Sequence, residues 1–314
     1  MNRDAAPLSL SDASNAVLEL QDLSLSFARY GEGLQRQSLT ALHQVNLCAH
    51  RGEILAVVGA SGSGKSLLAH AVLGILPRNV QMSGTMKYRG SELSLESIKE
   101  LRGSDIAFIP QSIDYLDPLM RVGKQIADDA RVAQNALEHY QLDKKVFRMY
   151  PFQLSGGMAR RVLCATALVS GAKLIVADEP TPGMSAELAD RAMKDFRELA
   201  DDGAAIVLIT HDINLALSYS DRVAVMYAGT IIENAFAADF SNESLLRHPY
   251  TKSLWRAIPQ NGFEASGGAQ PYGRSAGKAC VYAPHCAQFS RECLRGTIPM
   301  VGLRGGEVAC IHAS

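Results

Sequence analysis

An apolar run, Ile54-Leu55-Ala56-Val57-Val58, delivers the chain directly into Gly59-Ala60-Ser61-Gly62-Ser63-Gly64-Lys65-Ser66, and a helical pattern begins at Lys65. A buried strand, a glycine-rich turn and a helix N-terminus in immediate succession leave few folds open. Gly59, Gly62 and Gly64, with Ser61 and Ser63 between them, let successive backbone N–H groups turn inward around a polyphosphate. Lys65 can then reach the terminal phosphates, and the Ser66 hydroxyl is available to magnesium at the helix N-terminus. A lone flexible Gly/Ser turn would not need the strand before it and the helix after it.

The pattern elsewhere agrees with an α/β class. Leu18, Leu20, Leu23, Leu25 and Phe27 read as a strand, and a second apolar segment covers 42–47. A helix is expected over 65–76, stopped by Pro77, with short strands flanking Gly84 and Gly90, a helix over 96–101 and a strand over 106–109. A more polar, mostly helical stretch, about 112–156, reads as an inserted arm. A helix over 157–169, a strand over 174–177, a helix over 186–200 with Leu188, Ala192, Phe196 and Leu199 on one face, and a strand over 205–209 follow it. Strands alternating with helices imply a parallel sheet. The expected organisation is a loose tail at 1–16, a principal domain over 17–240 and an extension over 241–314. The extension contains a Gly/Ser/Ala-rich linker at 262–278 and a cysteine cluster at 280–310.

With 314 residues and a formal net charge of -1, the chain has room for one large domain plus an appendage and lacks the basic footprint of a nucleic-acid binder. Its apolar runs have the length of buried strands, not of bilayer crossings, and the N-terminus has no basic lead-in of a secretory signal. A cytoplasmic protein, able to attach to a membrane partner, is the expectation.

Many families carry the first motif, and a second set narrows the field: Leu154-Ser155-Gly156-Gly157-Met158, the strand-ending Leu174-Ile175-Val176-Ala177-Asp178-Glu179-Pro180-Thr181, Gln111 and His211. With these, the chain resembles the ATP-binding subunits of ABC transporters over nearly its whole length. The resemblance implies a P-loop NTPase (RecA-like) core with an antiparallel β subdomain, an inserted helical subdomain and the cysteine-containing extension. It also implies roles. Asp178 holds magnesium with Ser66 and Gln111, Glu179 is the general base that polarises the attacking water, and His211 steadies the γ-phosphate. Ser155, Gly156 and Gly157 form the anion site that, in this family, faces the ATP of a neighbouring subunit, so two nucleotides are sandwiched between paired ATPases. Phe27 is the candidate for stacking on adenine, with Tyr30 the fallback; a core aromatic is the other reading of Phe27.

Asp117-Pro118-Leu119-Met120-Arg121-Val122-Gly123, His248-Pro249-Tyr250-Thr251-Lys252-Ser253-Leu254 and Ala257-Ile258-Pro259 resemble the peptide/nickel importer branch. That branch implies a second, different ATPase subunit, two transmembrane permease subunits and an extracytoplasmic substrate-binding protein, with this chain on the cytoplasmic face of the inner membrane. In that branch four thiolates ligate a 4Fe–4S cluster. Here Cys280, Cys286, Cys293 and Cys310 follow a similar spacing, although four thiolates suit zinc equally, with His285 or His312 able to replace one, and two disulfides are a third arrangement. Cys48 and Cys164 are expected in the core as packing residues. Two departures stand out. Ser185 occupies the position where the family has an aspartate linking the two ATP sites, and only 28 residues separate Gln125 from Leu154, a shortened arm. The rival from another class is a non-transport ABC ATPase of an enzyme assembly such as carbon–phosphorus lyase.

Overall fold

The computed structural model describes residues 15–30, 36–264 and 279–313. Residues 1–14 of the expected tail, most of the linker and the Tyr30 side chain lie outside the described residues, and Ala16 opens the first strand.

Two long strands, β1 (Ala16–Tyr30) and β2 (Arg36–His50), pair antiparallel, and β4 (Val80–Tyr88) and β5 (Ser91–Glu92) complete a four-stranded sheet in the order β2-β1-β4-β5. The leucines of β1 change parity between Leu20 and Leu23, yet all of Leu18, Leu20, Leu23 and Leu25 are buried. A bulge explains this. The register shifts between Leu20 and Leu23, where Asp22 adopts a φ of 51°, so one extra residue returns the later leucines to the core face. Gly84 lies against that bulge, where a Cβ would come within 2.5 Å of the Asp22 carbonyl oxygen. The two short strands expected around Gly84 are therefore one continuous strand.

The second sheet holds β3 (Ile54–Val58), β6 (Ile106–Ile109), β7 (Leu174–Asp178), β8 (Ala205–Ile209), β9 (Arg222–Tyr227) and β10 (Thr230–Phe236), with the small hairpin β11 (Val301–Leu303) and β12 (Gly306–Val308) at its edge. Its order is β11-β12-β10-β9-β3-β8-β7-β6, parallel from β9 to β6 and antiparallel beyond. Every residue of β3, β7 and β8 is buried, as central parallel strands covered on both faces must be. The hairpin from the extension thus continues the main sheet beside β10.

One face of this sheet packs with α1 (Lys65–Val72), α2 (Leu95–Leu101) and the antiparallel sheet around Leu25, Leu55, Val57 and Leu68. Against the other face lie the arm helices α3 (Val122–Ile126) and α4 (Ala130–His139), with α5 (Gly156–Val169) and α6 (Ala186–Asp201), around Leu163, Ile175 and Phe196. Burying each such aliphatic or aromatic side chain contributes about 1.5–3 kcal/mol. Helix α1 ends at Val72, short of 76, because the chain has already turned back at Gly74. Helix α7 (Ile213–Tyr219) and helix α8 (Pro249–Arg256) pack a third cluster that includes Tyr227, Tyr250 and Tyr282. Cys164 is fully buried as expected. Cys48 is not: it is half-buried, in a small polar pocket between the two sheets.

Candidate nucleotide site

Strand β3 ends at Val58 and the backbone turns so tightly at Gly59 that a Cβ there would stand 2.2 Å from the Met226 carbonyl oxygen of β9. The loop is tied down on that side by the Gly229 N–H, which donates to the Ser63 carbonyl at 2.8 Å. Gly64 is the N-cap of α1 and brings no side-chain acceptor, so the first-turn N–H groups face outward without an internal cap. Ser61 and Gly62 are exposed at the loop tip, while Ser63 is buried with its hydroxyl unpartnered.

Lys65 is 8% exposed and donates to the carbonyls of Gly59 and Ala60 at 2.8 and 3.1 Å. Burial lowers its pKa, against the opposing pull of Glu179 and Asp178. Asp178 closes β7 with 1% of its surface exposed, and neither carboxylate oxygen meets a hydrogen-bond partner at bonding geometry. Burial raises its pKa; the nearby Ser66 hydroxyl works the other way, and the adjoining Glu179 adds to the rise. A buried carboxylate with two orphaned oxygens is costly unless something satisfies it. A hard divalent cation fits this donor set of a carboxylate and a hydroxyl, and it would supply charge neutralisation for a phosphate.

Glu179 follows immediately, and its φ of 50° places a non-glycine residue in the left-handed region, a strain tolerated where geometry matters more than stability. One oxygen accepts from the backbone N–H of His211 at 3.0 Å and faces His211 Nδ1 at 2.8 Å; the other, buried, is unpartnered. His211 itself is 68% exposed on its side-chain surface. Its neighbour Thr210 is buried and accepts from the Asp212 N–H, fixing the turn after β8. Glu179 and His211 border a cleft of 590 Å³ that also meets Pro182, Met184 and Tyr219.

Sequence reasoning missed two contributors. Arg160 of α5 donates to the carbonyls of Pro110 and Gln111 at 2.7 and 2.6 Å, clamping the loop that carries Gln111, whose side chain is exposed. Tandem cations, Arg160 and Arg161, on an otherwise apolar helix were the available signal. His70 lies near enough to Asp178 to feel its charge, but burial lowers its pKa overall.

The signature stands apart from this cluster. Ser155 caps α5 through the Met158 N–H, and Ser155 and Gly156 are exposed. Gly157 packs so closely on Gly183 that a Cβ would lie 2.9 Å from its carbonyl oxygen. Ser185 caps α6, accepting from the Leu188 N–H at 3.4 Å. Phe27, half-buried near the end of β1, pairs with Leu39 and Val80.

In the extension the four cysteines are free and near one another. Burial raises the pKa of Cys280, Cys286 and Cys310, and neighbouring thiols add to it: Cys310 and Cys293 for Cys280, Cys293 for Cys286, and Cys286 and Cys293 for Cys310. His312 is engaged by the Ser290 hydroxyl at 2.8 Å. Among the described residues, no group of three or more His, Cys, Asp or Glu closes around a point that could hold a metal ion. A single zinc needs thiolates drawn to about 2.3 Å from one centre, and neither that set nor a 4Fe–4S ligand set is formed among the described residues. The disulfide alternative does not fit either, since all six cysteines are free.

Fold and site together define a P-loop ATPase in which Lys65, Asp178, Glu179 and His211 converge on the phosphate loop while an exposed serine–glycine helix end points elsewhere. Residues 42–182 match the ABC transporter family, and residues 232–293 match the oligopeptide/dipeptide transporter C-terminal region. The oligopeptide transport ATP-binding protein OppD of Lactococcus lactis subsp. cremoris is 36% identical over 267 residues, covering 78% of this chain and 77% of that protein. The Salmonella typhimurium OppD is 32% identical over 304 residues, 89% of each. Among solved structures, a dimeric post-hydrolysis ATP-binding cassette bound to ADP and Pi superposes with a TM-score of 0.62 at 25% identity, over 70% of this chain and 98% of that one. The chain belongs to the ATP-binding proteins of ABC transporters.

Proposed function

We propose that this chain is the ATP-hydrolysing subunit of a peptide importer, working at the cytoplasmic face of the membrane with a second ATPase subunit, two permease subunits and, indirectly, an extracytoplasmic binding protein. The observation that carries the hydrolytic reading is the Lys65–Asp178–Glu179–His211 constellation, with the buried, orphaned oxygens of Asp178 at its centre. The peptide substrate rests on the matching C-terminal region and on the relatives' names. Nothing observed favours nickel over peptides or a non-transport assembly over an importer. No described helix is long and apolar enough to cross a membrane, so passage through the bilayer belongs to partners.

In this reading Gly59, Ser61, Gly62, Ser63, Gly64 and Lys65 cradle the phosphates, and Phe27 stacks on adenine. Ser66, Asp178 and Gln111 would hold magnesium, which would supply charge neutralisation for the phosphates. Glu179, oriented by its bonds to His211, accepts a proton from the attacking water. Ser155, Gly156 and Gly157 serve the nucleotide of the paired subunit, a role that the exposure of Ser155 and Gly156 supports. The groove of 410 Å³ below Pro110, between Phe108, Tyr115, Leu116 and α5, with Leu119 exposed nearby, suits a permease segment whose seating moves the Gln111 loop through Arg160. Residues 17–240 act as the motor and 241–314 as the extension. Its four neighbouring thiols have the softness a 4Fe–4S cluster needs and would be its ligands if they close on one centre when it binds.

The test is Glu179→Gln in the assembled transporter. ATP binding persists and peptide uptake and hydrolysis stop; uptake at the wild-type rate would refute the assignment. Iron and acid-labile sulfide in the purified chain test the cluster, and their absence from anaerobically prepared protein would refute it.

A further inference from the structure

Outside the nucleotide site, β2 and the turn after it assemble a second reactive constellation. The Cys48 sulfur lies 3.4 Å from His50 Nε2, and the opposite ring nitrogen, Nδ1, lies 2.9 Å from a Glu53 oxygen, which also accepts from the His50 N–H at 2.8 Å. His50 and Glu53 are completely buried. The other Glu53 oxygen is bound by Arg222, whose guanidinium also donates to the Cys48 carbonyl. A carboxylate that fixes Nδ1–H leaves Nε2 as the acceptor, so the ring presents a base to the thiol. Cys48 itself is half-buried and lines a pocket of 160 Å³ with Glu19, Arg222, Asn234 and Glu307.

We propose that Cys48 is an activated thiol, a modification site for small disulfides, with His50 as its base, Glu53 orienting the ring and the pocket selecting cationic reagents. The selection follows from charge. Glu53 already pairs Arg222, while Glu19, opposite Cys48 in β1, and Glu307 of β12 add two carboxylates to the pocket lining. In the reaction His50 takes the Cys48 proton and the sulfur attacks one sulfur of the disulfide. The new S–S bond forms as the old one breaks. The departing thiolate leaves with the proton from His50, so Cys48 is oxidised and the departing sulfur reduced. Contact with the thiol raises the His50 pKa to about 9, with Glu53 next in effect and burial opposing, so the ring readily holds the proton it takes. Cys164 supplies an internal control, because burial pushes its thiol up to about 12 and closes it to solvent.

The experiment treats the intact chain with cystamine or with the anionic dithiodiglycolate between pH 5.5 and 8.5 and quantifies the mixed disulfide at Cys48 by peptide mass spectrometry, beside the same chain in denaturant. The expected result is a Cys48 rate at pH 6 about tenfold or more above the denatured rate, with a shallow pH dependence, since a paired thiolate no longer follows the ordinary thiol's tenfold fall per pH unit. The preference for cystamine exceeds that of the denatured chain and shrinks in Glu19→Gln/Glu307→Gln. His50→Gln restores the steep pH dependence; if that variant does not fold, the wild-type pH profile decides alone. A native rate at pH 6 no higher than the denatured one, or a full tenfold fall per unit, overturns the proposal, and an unchanged reagent preference overturns its charge selection.

Discussion

Replacing Asp178 by asparagine should stabilise the nucleotide-free protein while abolishing its response to magnesium and ATP. Asp178 is 1% exposed, with both oxygens lacking partners, and burial and Glu179 both penalise its charge. Leaving a buried polar group unsatisfied costs about 1–3 kcal/mol, more when it is charged. The attraction of Lys65 offsets part of that cost. An uncharged amide of the same shape relieves the charge penalty and loses the attraction, for a net gain of about 1–2 kcal/mol. In a chain of this size that corresponds to a melting-temperature rise of about 2–6 °C. The pH dependence has a defined sign. A carboxylate whose folded pKa is raised destabilises the fold when ionised, so the advantage of the asparagine is absent at pH below the unfolded value, near 4, and develops as pH rises through the raised folded value. Thermal unfolding of both proteins at pH 4 and pH 7, with and without magnesium and ATP, measures all of this. Under saturating ligand the wild type should gain about 2.7 kcal/mol at a hundredfold excess over Kd and the variant much less. An asparagine variant no more stable than wild type at pH 7, or one still stabilised by magnesium and ATP to the same degree, refutes the reasoning.

Other expectations follow from single contacts. Glu179→Gln keeps ATP binding and lowers steady-state hydrolysis by about 10²–10⁴-fold. Arg160→Ala frees the Pro110 and Gln111 carbonyls and should lower permease-stimulated ATPase activity more than basal activity, as measured in proteoliposomes; equal losses would point to misfolding. Ser185→Asp keeps a competent cap on α6, so its melting temperature stays within about 2 °C of wild type while cooperativity between ATP sites changes; unchanged cooperativity disposes of a linking role for this position. The raised His50 pKa makes its contribution to stability complete below pH 6.5 and lost as pH rises through about 9, so denaturant midpoints should fall across that interval and do so less in His50→Gln.

The strands β3, β6, β7 and β8 were legible because each is an uninterrupted apolar run bounded by polar or glycine residues, and their ends carried the motifs with them. β9 and β10 were not. In β10 the apolar pattern is broken by Glu233, a completely buried carboxylate that makes sense only once its partners are known: the Arg247 N–H and guanidinium and the His248 N–H, brought from beyond the strand. The same fact hid how Arg247, bonded to the Leu303 and Arg304 carbonyls, draws the last hairpin onto the main sheet. Within the site, residue types and order singled out Lys65, Asp178, Glu179 and His211, which the fold brings together. The left-handed backbone of Glu179 and the clamp from Arg160 are tertiary consequences with no one-residue signature. Cys48 was expected to pack in the core because it sits in an apolar strand; the β1 bulge and the charged network around Arg222 leave it at the margin instead.

A nucleotide shared between two chains is what the phosphate loop and the Ser155 helix end together require. Sedimentation of Glu179→Gln with the second ATPase subunit, in the presence and absence of ATP and magnesium, measures whether the phosphate loop of one chain and the Ser155–Gly156–Gly157 end of another close on one ligand. Association that requires ATP and is lost on Ser155→Arg is the predicted result. A complex indifferent to ATP, or hydrolysis at full rate by a strictly monomeric chain, would contradict it.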